Sequence, residues 1–456
     1  MTATALQRVA PGPRANLLLG SLPEYQRDPL NLFMNAALRY GDIVRLRIGP
    51  RAVHLITSPD YIKYVLQENN RNYHKSASYE KTKPLLGQGL LTSEDDFWRR
   101  QRKLSQPAFH RQRIGAFATT MTDATNEMLD RWQAAVERAQ PMDIAKEMMR
   151  LTLTIVGQTL FSTDVSDEAD SVGRALTIAL EHTTHRMQAI FDLGERLPTP
   201  ENRRFHEAIK TLDKIVFGMI EERRRSGVDH GDLLSMLLQA RDEETGESMS
   251  DKQLRDEAMT IFLAGHETTA NALAWSWYLL SKHPDVARRL RAELDETLGG
   301  RVPTVQDLPN LRYTTMVIEE AMRLYPPAWA IGRNTIGEDE IGGYHIPADS
   351  IVAISSYVTH RLPTYWDNPE GFDPERFTPE RSEGRPRFAY FPFGGGPRIC
   401  IGNNFAMMEM QLVLATIAQR YRLDLTPGQV IEPEPMVTLR PRNGIQMTVR
   451  PLTGGR

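Results

Sequence analysis

The one cysteine among 456 residues, Cys400, lies in the stretch Phe-Gly-Gly-Gly-Pro-Arg-Ile-Cys-Ile-Gly, residues 393–402. Five of those ten residues are Gly or Pro, which excludes an ordinary helix or strand. A lone cysteine can be no more than a small buried apolar side chain. The surroundings point further. Glycines at 394, 395, 396 and 402 let the backbone lie close to something flat or bulky. The turn can aim amide N–H groups at the sulfur, and a helix beginning just after Cys400 adds its positive end. Both favour a thiolate and lower the thiol pKa. Phe393 can shield one side, and Arg398 offers a fork for a carboxylate. A single thiolate cannot build a zinc or iron–sulfur site, but it can be the axial ligand of a haem.

A second group lies at Ala264, Gly265, His266, Glu267, Thr268 and Thr269. Gly265 in a helix interior costs about 1 kcal/mol relative to Ala. Thr268 can bond back to the carbonyl of Ala264, four residues earlier. The stretch is either a tight helix crossing with capped polar groups or a groove for a small ligand such as O2, with a hydroxyl and a carboxyl beside it to relay protons. A zinc-protease site is excluded, because Ala270 stands where the second histidine is required. The histidines of Glu-His-Thr-Thr-His, 181–185, lack that spacing too and are expected to be polar surface. A third pair, Glu320 and Arg323, shares one helix face. On a surface such a pair contributes on the order of a few tenths of a kcal/mol. Apolar Val317, Ile318, Ala321 and Leu324 around it favour burial, and Arg376 can add a second cation.

In this combination and order the residues resemble the cytochrome P-450 haem-thiolate monooxygenases. The family's cysteine signature, Phe-x-x-Gly-x-Arg-x-Cys-x-Gly, is met at Phe393, Gly396, Arg398, Cys400 and Gly402. Ala264, Gly265, Glu267 and Thr268 match its second motif, Glu320 and Arg323 its Glu-x-x-Arg, Arg376 its arginine loop, and Trp98 and Arg102 its Trp-x-x-x-Arg. The resemblance implies a mainly α fold with minor β (α+β), the triangular single-domain architecture over residues 1–456. It implies haem b with Cys400 as the iron ligand. Trp98, Arg102, Arg333 and Arg398 would meet the propionates, with Phe393, Gly394, Ala264 and Gly265 close by. Glu320, Arg323 and Arg376 would form a network behind the cysteine turn, and Glu267 and Thr268 would guide protons.

The implied reaction inserts one atom of O2 into a C–H or C=C bond of an apolar molecule and releases the other as water. By family position the pocket draws on Leu85–Leu90 (Leu85, Leu86 and Leu90 foremost), Phe262, Ala264, Ala328–Ile331 (with Trp329) and Met436–Thr438 (with Val437), each of which could equally be plain core. The expected substrate is a fatty acid or similar lipid, with terpenoids, steroids and macrocycles open. No flavin or iron–sulfur segment fits in the 54 residues after Gly402. Electrons are therefore expected from a separate ferredoxin or flavodoxin with its NAD(P)H reductase. The basic run at 98–103 is either a solvated face or a docking patch for such a donor. Residues 171–203 are expected to form a lid.

The elements that must position these groups are legible in outline. A helix is predicted near 30–40 and a hairpin around Gly49-Pro50, where alternating apolar residues flank the turn. From about 97 to 323 helical periodicity dominates. Ser250 and Gln253 resemble a capping box. Residues 259–280 are apolar, but His266, Glu267 and Asn271 are expensive in lipid, so a helix buried in a globule fits better than a membrane span. β-rich parts are expected near 40–60, 330–356 and 420–450, and a last helix from after Cys400 to about Arg420.

Composition bounds the rest. At 41% apolar and 25% charged the chain reads as a globular enzyme, and a net charge of −3 offers no basic field for nucleic acid. One cysteine excludes an intramolecular disulfide framework. The N-terminus has no signal-peptide core, so the expectation is a cytoplasmic monomer without a transmembrane anchor. Rival readings are a peroxide-driven relative, a non-catalytic haem sensor, and a cysteine hydrolase using Cys400 with a histidine.

Overall fold

The computed structural model describes residues 8–14, 16, 18–163, 169–189, 194–195, 197–241 and 246–452. Helices carry most of it, and the strands gather into small sheets. Of the expected lid, residues 190–193 and 196 lie outside the described residues. The remainder is nearly all of helix Ala169–Gln188, the start of helix Pro200–Ser226 and non-helical residues between them. No described helix is long and apolar enough to cross a membrane.

The organising element is the helix Asp251–Lys282, 32 residues long and therefore about 48 Å. Ser250 starts it: its hydroxyl accepts from the Gln253 N–H, and Gln253 Oε1 accepts from the Ser250 N–H. The helix is buried on nearly every side, packed against Ile144–Leu160, Arg312–Leu324 and Asn403–Arg420. Gly265 marks its closest approach to Ile144–Leu160, where an added Cβ would stand 3.1 Å from Val156 Cγ2. The tight crossing read from the sequence is therefore present.

A five-stranded sheet lies at one end, in the order Ile43–Ile48, Arg51–Ile56, Ile351–Ile354, Ile331–Thr335, Tyr73–Lys75. The first two strands form the expected hairpin, with Ile48 opposite Arg51. Alternation sends Val44, Leu46, Val53 and Leu55 to one face, against Leu30 and Phe33 of helix Pro29–Tyr40, and Ile43 and Ile56 to the other. One register pairing matters below: Lys75 stands directly opposite Arg333.

The segment before residue 91 is pressed onto the long helix. A Cβ at Gly89 would fall 2.1 Å from Thr260 Oγ1. The Leu90 N–H donates to Glu257 Oε2 at 3.0 Å, while Oε1 of Glu257 is buried with no partner among the described residues. One expectation is corrected here. His185 of the 181–185 stretch is exposed, but His182 is buried, stacked at 4.1 Å on Phe205 from the neighbouring helix.

Glu320, Arg323 and Arg376 are brought together in full burial. Arg323 Nε and Nη2 donate to the Glu320 carboxylate at 2.6 and 2.8 Å. Its remaining hydrogens go to the carbonyls of His360, Pro369 and Gly371. Arg376 Nε reaches Glu320 Oε1 at 3.2 Å, and its Nη1 reaches Asp367 Oδ1 at 2.7 Å.

Two predictions follow from these buried charges. Glu320→Gln strands Arg323 in the interior and should lower stability by about 3–5 kcal/mol, read as the shift in urea midpoint. Burial pushes Glu257 up to about 8 and Glu319 up to about 7. Each is raised above its unfolded value, so its stabilisation is complete below pH 4.5 and is lost as pH rises through the folded value. The chain should therefore lose thermal stability from pH 6.5 to 8. Glu257→Gln should flatten that loss by up to ~1.4 kcal/mol per pH unit.

Candidate functional site

The cysteine turn is shaped by backbone. Gly396 has φ +65°, and a Cβ there would stand 1.8 Å from the Leu66 carbonyl oxygen. Only glycine meets both conditions. The Gly394 N–H donates to the Phe391 carbonyl at 2.9 Å, the Ile399 N–H to Gly396 at 3.1 Å, and the Cys400 N–H to Phe393 at 3.0 Å. Phe391 is in turn tethered, its N–H donating to His360 Nε2 at 2.9 Å. The helix Asn403–Arg420 begins three residues past the sulfur.

Burial pushes the Cys400 thiol up, and this outweighs the two groups that pull it down, the Gly402 N–H and the Arg102 charge. The groups expected to favour a thiolate, the Gly402 N–H and the Arg102 charge, are in place, and burial opposes them. Cys400 lies deep among the surrounding chain and yet has accessible surface. Ala264 is likewise accessible in the middle of the buried long helix, as Gly265 and Thr268 partly are. Accessible atoms at such depth mark an internal cleft.

A run of contacts joins the two sides. Gly394 lies against Ile331 Cδ1, Ala328 is accessible, Trp329 Nε1 donates to the Met436 carbonyl at 2.9 Å, and Thr438 bonds Glu267 on the long helix. Met436 and Val437 are partly accessible, as is Leu90. The structure places four of the expected pocket residues in packed core. Phe262 turns to the opposite face and packs edge-on against Phe161 at 5.7 Å. Trp329 packs against Phe33 at 6.2 Å, on the far side of the sheet. Leu85 and Leu86 are almost fully buried in the core. A separate surface hollow of about 700 Å³, lined by Arg289, Glu293, Arg312 and Tyr313 among others, shares no residue with this cleft.

Near the sulfur the charge is unbalanced. Arg398 stacks over Trp98 at 3.9 Å, donates to the Ser93 carbonyl at 2.8 Å and pairs with Glu94. Arg333 is buried, and it donates to the neighbouring Gly332 carbonyl at 3.0 Å. Lys75 shares its face of the sheet and lies over Tyr79 at 5.0 Å. Burial, with Arg333 and Arg398 beside it, drives Lys75 well down; burial lowers Arg333 and takes Arg398 to about 10. Like charges directly opposed across strands are destabilising. Glu94 is the carboxylate that acts on all three cations, and Asp95 acts on Arg398 as well. Such a cluster fits a group that brings two carboxylates, as haem does with its propionates.

Of the four expected propionate partners, the structure gathers Trp98, Arg333 and Arg398. Arg102 donates through Nη1 to the Ile399 carbonyl at 2.9 Å and acts on the sulfur. Sequence reasoning missed Lys75. Its only signal is the pairing register, which two short strands do not announce.

On the opposite wall, Thr268 Oγ1 donates to the Ala264 carbonyl at 2.8 Å. Glu267 is 5% exposed and is pushed up by burial. His266 points away and bonds the Phe262 carbonyl through Nδ1 at 3.0 Å; burial takes it down to about 4, so it stays neutral.

With this geometry in view, comparisons with known proteins are informative. The family model for cytochrome P-450 matches residues 10–449. Cyclooctatin synthase of Streptomyces melanosporofaciens is 42% identical over 434 residues, 94% of this chain and 93% of the relative. Cyclooctat-9-en-7-ol 5-monooxygenase of the same organism is 42% identical over 416 residues, covering 91% and 89%. Pentalenene oxygenase of Streptomyces avermitilis is 33% identical over 446 residues, covering 97% and 98%. Among solved structures, the haem domain of cytochrome P-450DA superposes with a TM-score of 0.89 at 29% identity over 98% of each chain.

Replacing Arg333 by Ala should loosen the bound group without unfolding the chain. Haem transfer to apomyoglobin should quicken several-fold in the variant, while the urea midpoint stays near that of the native protein.

Proposed function

The chain belongs to the cytochrome P-450 family and is a haem-thiolate monooxygenase, and from that premise we propose that its substrate is a polycyclic terpenoid, hydrocarbon or alcohol. The single observation carrying this reading is the apolar, uncharged character of the accessible wall. Ala264, Ala328, Ile331, Met436 and Val437 supply it, and none offers a cation to a fatty-acid carboxylate. Relatives named for cyclooctatin, cyclooctat-9-en-7-ol and pentalenene favour the same class over the fatty acid expected from sequence. Rigid polycycles lose little conformational entropy when an apolar cavity orients them.

Haem b is the cofactor. It supplies the iron at which O2 is activated, with electron density pushed toward it by the thiolate. The residues of the chain do the rest. Cys400 would offer the sulfur; Arg333, Arg398, Lys75 and Trp98 would hold the propionates. Glu267 supplies protons beside Thr268, and the apolar wall excludes water. That Glu267–Thr268 pair argues against the peroxide-driven rival, and family membership against the hydrolase. Electrons come from separate redox proteins, for which a ferredoxin or flavodoxin with its reductase is the fitting class. Arg99 and Lys103 are exposed on the basic run, though Arg99 is already paired with Asp96 at 2.7 Å.

Two measurements test this reading. In Cys400→Ser the reduced carbon monoxide complex should lose the red-shifted Soret band of a thiolate ligand; an unaltered band would defeat the ligand assignment. Spectral titration of the native protein should show tighter binding of cyclic terpene alkenes and alcohols than of straight-chain fatty acids. The reverse order would overturn the substrate class.

A further inference from the structure

Glu267 is held in a way that decides where its hydrogen sits. Thr438 donates to Oε1 of Glu267 at 2.6 Å. The same Thr438 oxygen accepts from Asn271 Nδ2 at 3.1 Å. Asn271 stands four residues beyond Glu267, one turn further on the same helix face. A hydroxyl owns a single hydrogen. With Asn271 donating into its lone pair, Thr438 directs that hydrogen to Oε1. Oε2 is buried and has no partner among the described residues.

The charged and titratable groups around it leave burial as the dominant influence. From the strand Leu439–Pro441, Arg440 is the one cation whose charge reaches Glu267. Its Nε already serves Glu434 at 2.8 Å and its Nη2 serves Glu181 at 3.0 Å. From the helix Asn403–Arg420, Glu409 is itself fully buried, and burial pushes it well up. His266 is neutral and turned toward Phe262. Burial is the largest influence on Glu267 and raises it, outweighing both Thr438 and Arg440. With Asn271 occupying one Thr438 lone pair and the Thr438 hydrogen turned to Oε1, a protonated Glu267 is best satisfied with its own hydrogen on Oε2, because the carbonyl oxygen of a carboxylic acid is the better acceptor.

We propose that Asn271 and Thr438 are positioning residues that fix the dissociable hydrogen of Glu267 on Oε2, the oxygen left free to donate. This rests on the reading of Glu267 as the acid of the site. The pair has a second effect. Once Oε2 has given up its proton, the Thr438 hydroxyl and the Arg440 charge both favour the carboxylate that remains. Loss of Thr438 therefore makes Glu267 a weaker acid as well as a misdirected one. Neither residue touches the reacting atoms in this role.

The test is infrared spectroscopy of the haem-loaded protein. The carbonyl stretch of a protonated buried carboxyl is identified as the band missing in Glu267→Gln and shifted in D2O. Thr438→Val, which keeps the shape but removes the hydrogen bond to Oε1, should move that band to higher frequency. Asn271→Leu should move it in the same direction, and Thr438→Ser should restore it. Alongside, the share of reductant that ends in product should fall several-fold in Thr438→Val and recover in Thr438→Ser. A native protein without the protonated band, or a band that Thr438→Val leaves in place, overturns the proposal. A shifted band with unimpaired coupling overturns the positioning role. Full coupling in Glu267→Gln would instead sink the prior reading of Glu267 as the acid, which the infrared band does not depend on.

Discussion

Arg323 is wholly buried, and each of its five hydrogens has an acceptor. A cation without water is tolerable only under that condition. Satisfying it ties together segments far apart in sequence: the helix carrying Glu320, the turn at His360, and the loop at Pro369 and Gly371. The tie reaches the cysteine. Arg323 holds the His360 carbonyl, His360 Nε2 holds the Phe391 N–H, Phe391 accepts from Gly394, and Phe393 accepts from Cys400. His360 must be neutral to accept that bond, and burial between Arg323 and Arg361 drives its pKa well down. The sulfur is thus placed by a buried ion cluster several bonds away, and a glycine-rich turn becomes a fixed one.

The second constraint runs the other way. Behind the turn the charges of Glu320, Arg323 and Arg376 are paired, whereas beside the cleft three cations share Glu94, with Asp95 acting on Arg398 alone. A fold that satisfies Arg323 so completely has left Lys75 opposite Arg333 across a strand pair. Electrostatics alone would select against that pairing. The imbalance is therefore information about what binds. A dianionic group repays the desolvation of these cations when it enters, and the apo chain should be correspondingly less stable there.

What the sequence disclosed divides along the same line. Signals carried by backbone chemistry were legible. Glycine spacing located the cysteine turn, the Ser250 and Gln253 pair located the start of the long helix, and Gly49-Pro50 located a hairpin. The hydrogen bond from Thr268 to the Ala264 carbonyl follows from an i−4 spacing and is made. Signals carried by three-dimensional neighbourhood were hidden. Phe262 is two residues from Ala264, about 200° around the helix, so apolar character alone could not say which face it serves. His182 reads as polar until Phe205 from another helix covers it. Lys75 acquires meaning only from its strand register, and His360 only from the distant residues it joins.

The long helix shows how one element serves two demands without compromise. At Gly265 it must approach Ile144–Leu160 so closely that a methyl group would crowd Val156. One residue away, Ala264 faces the cleft and stays accessible. Small side chains are required on both faces at the same level, for opposite reasons: one admits a neighbouring helix, the other leaves room for ligands. Polar residues follow at once, because Thr268 returns its hydrogen to the Ala264 carbonyl and Glu267 is held from outside the helix by Thr438. The fold therefore carries dissociable hydrogens into an apolar interior on a scaffold whose own backbone bonds remain closed. An acid built this way need not be exposed to be usable. It needs one oxygen held and one oxygen free, and the strand end at Thr438 supplies that asymmetry.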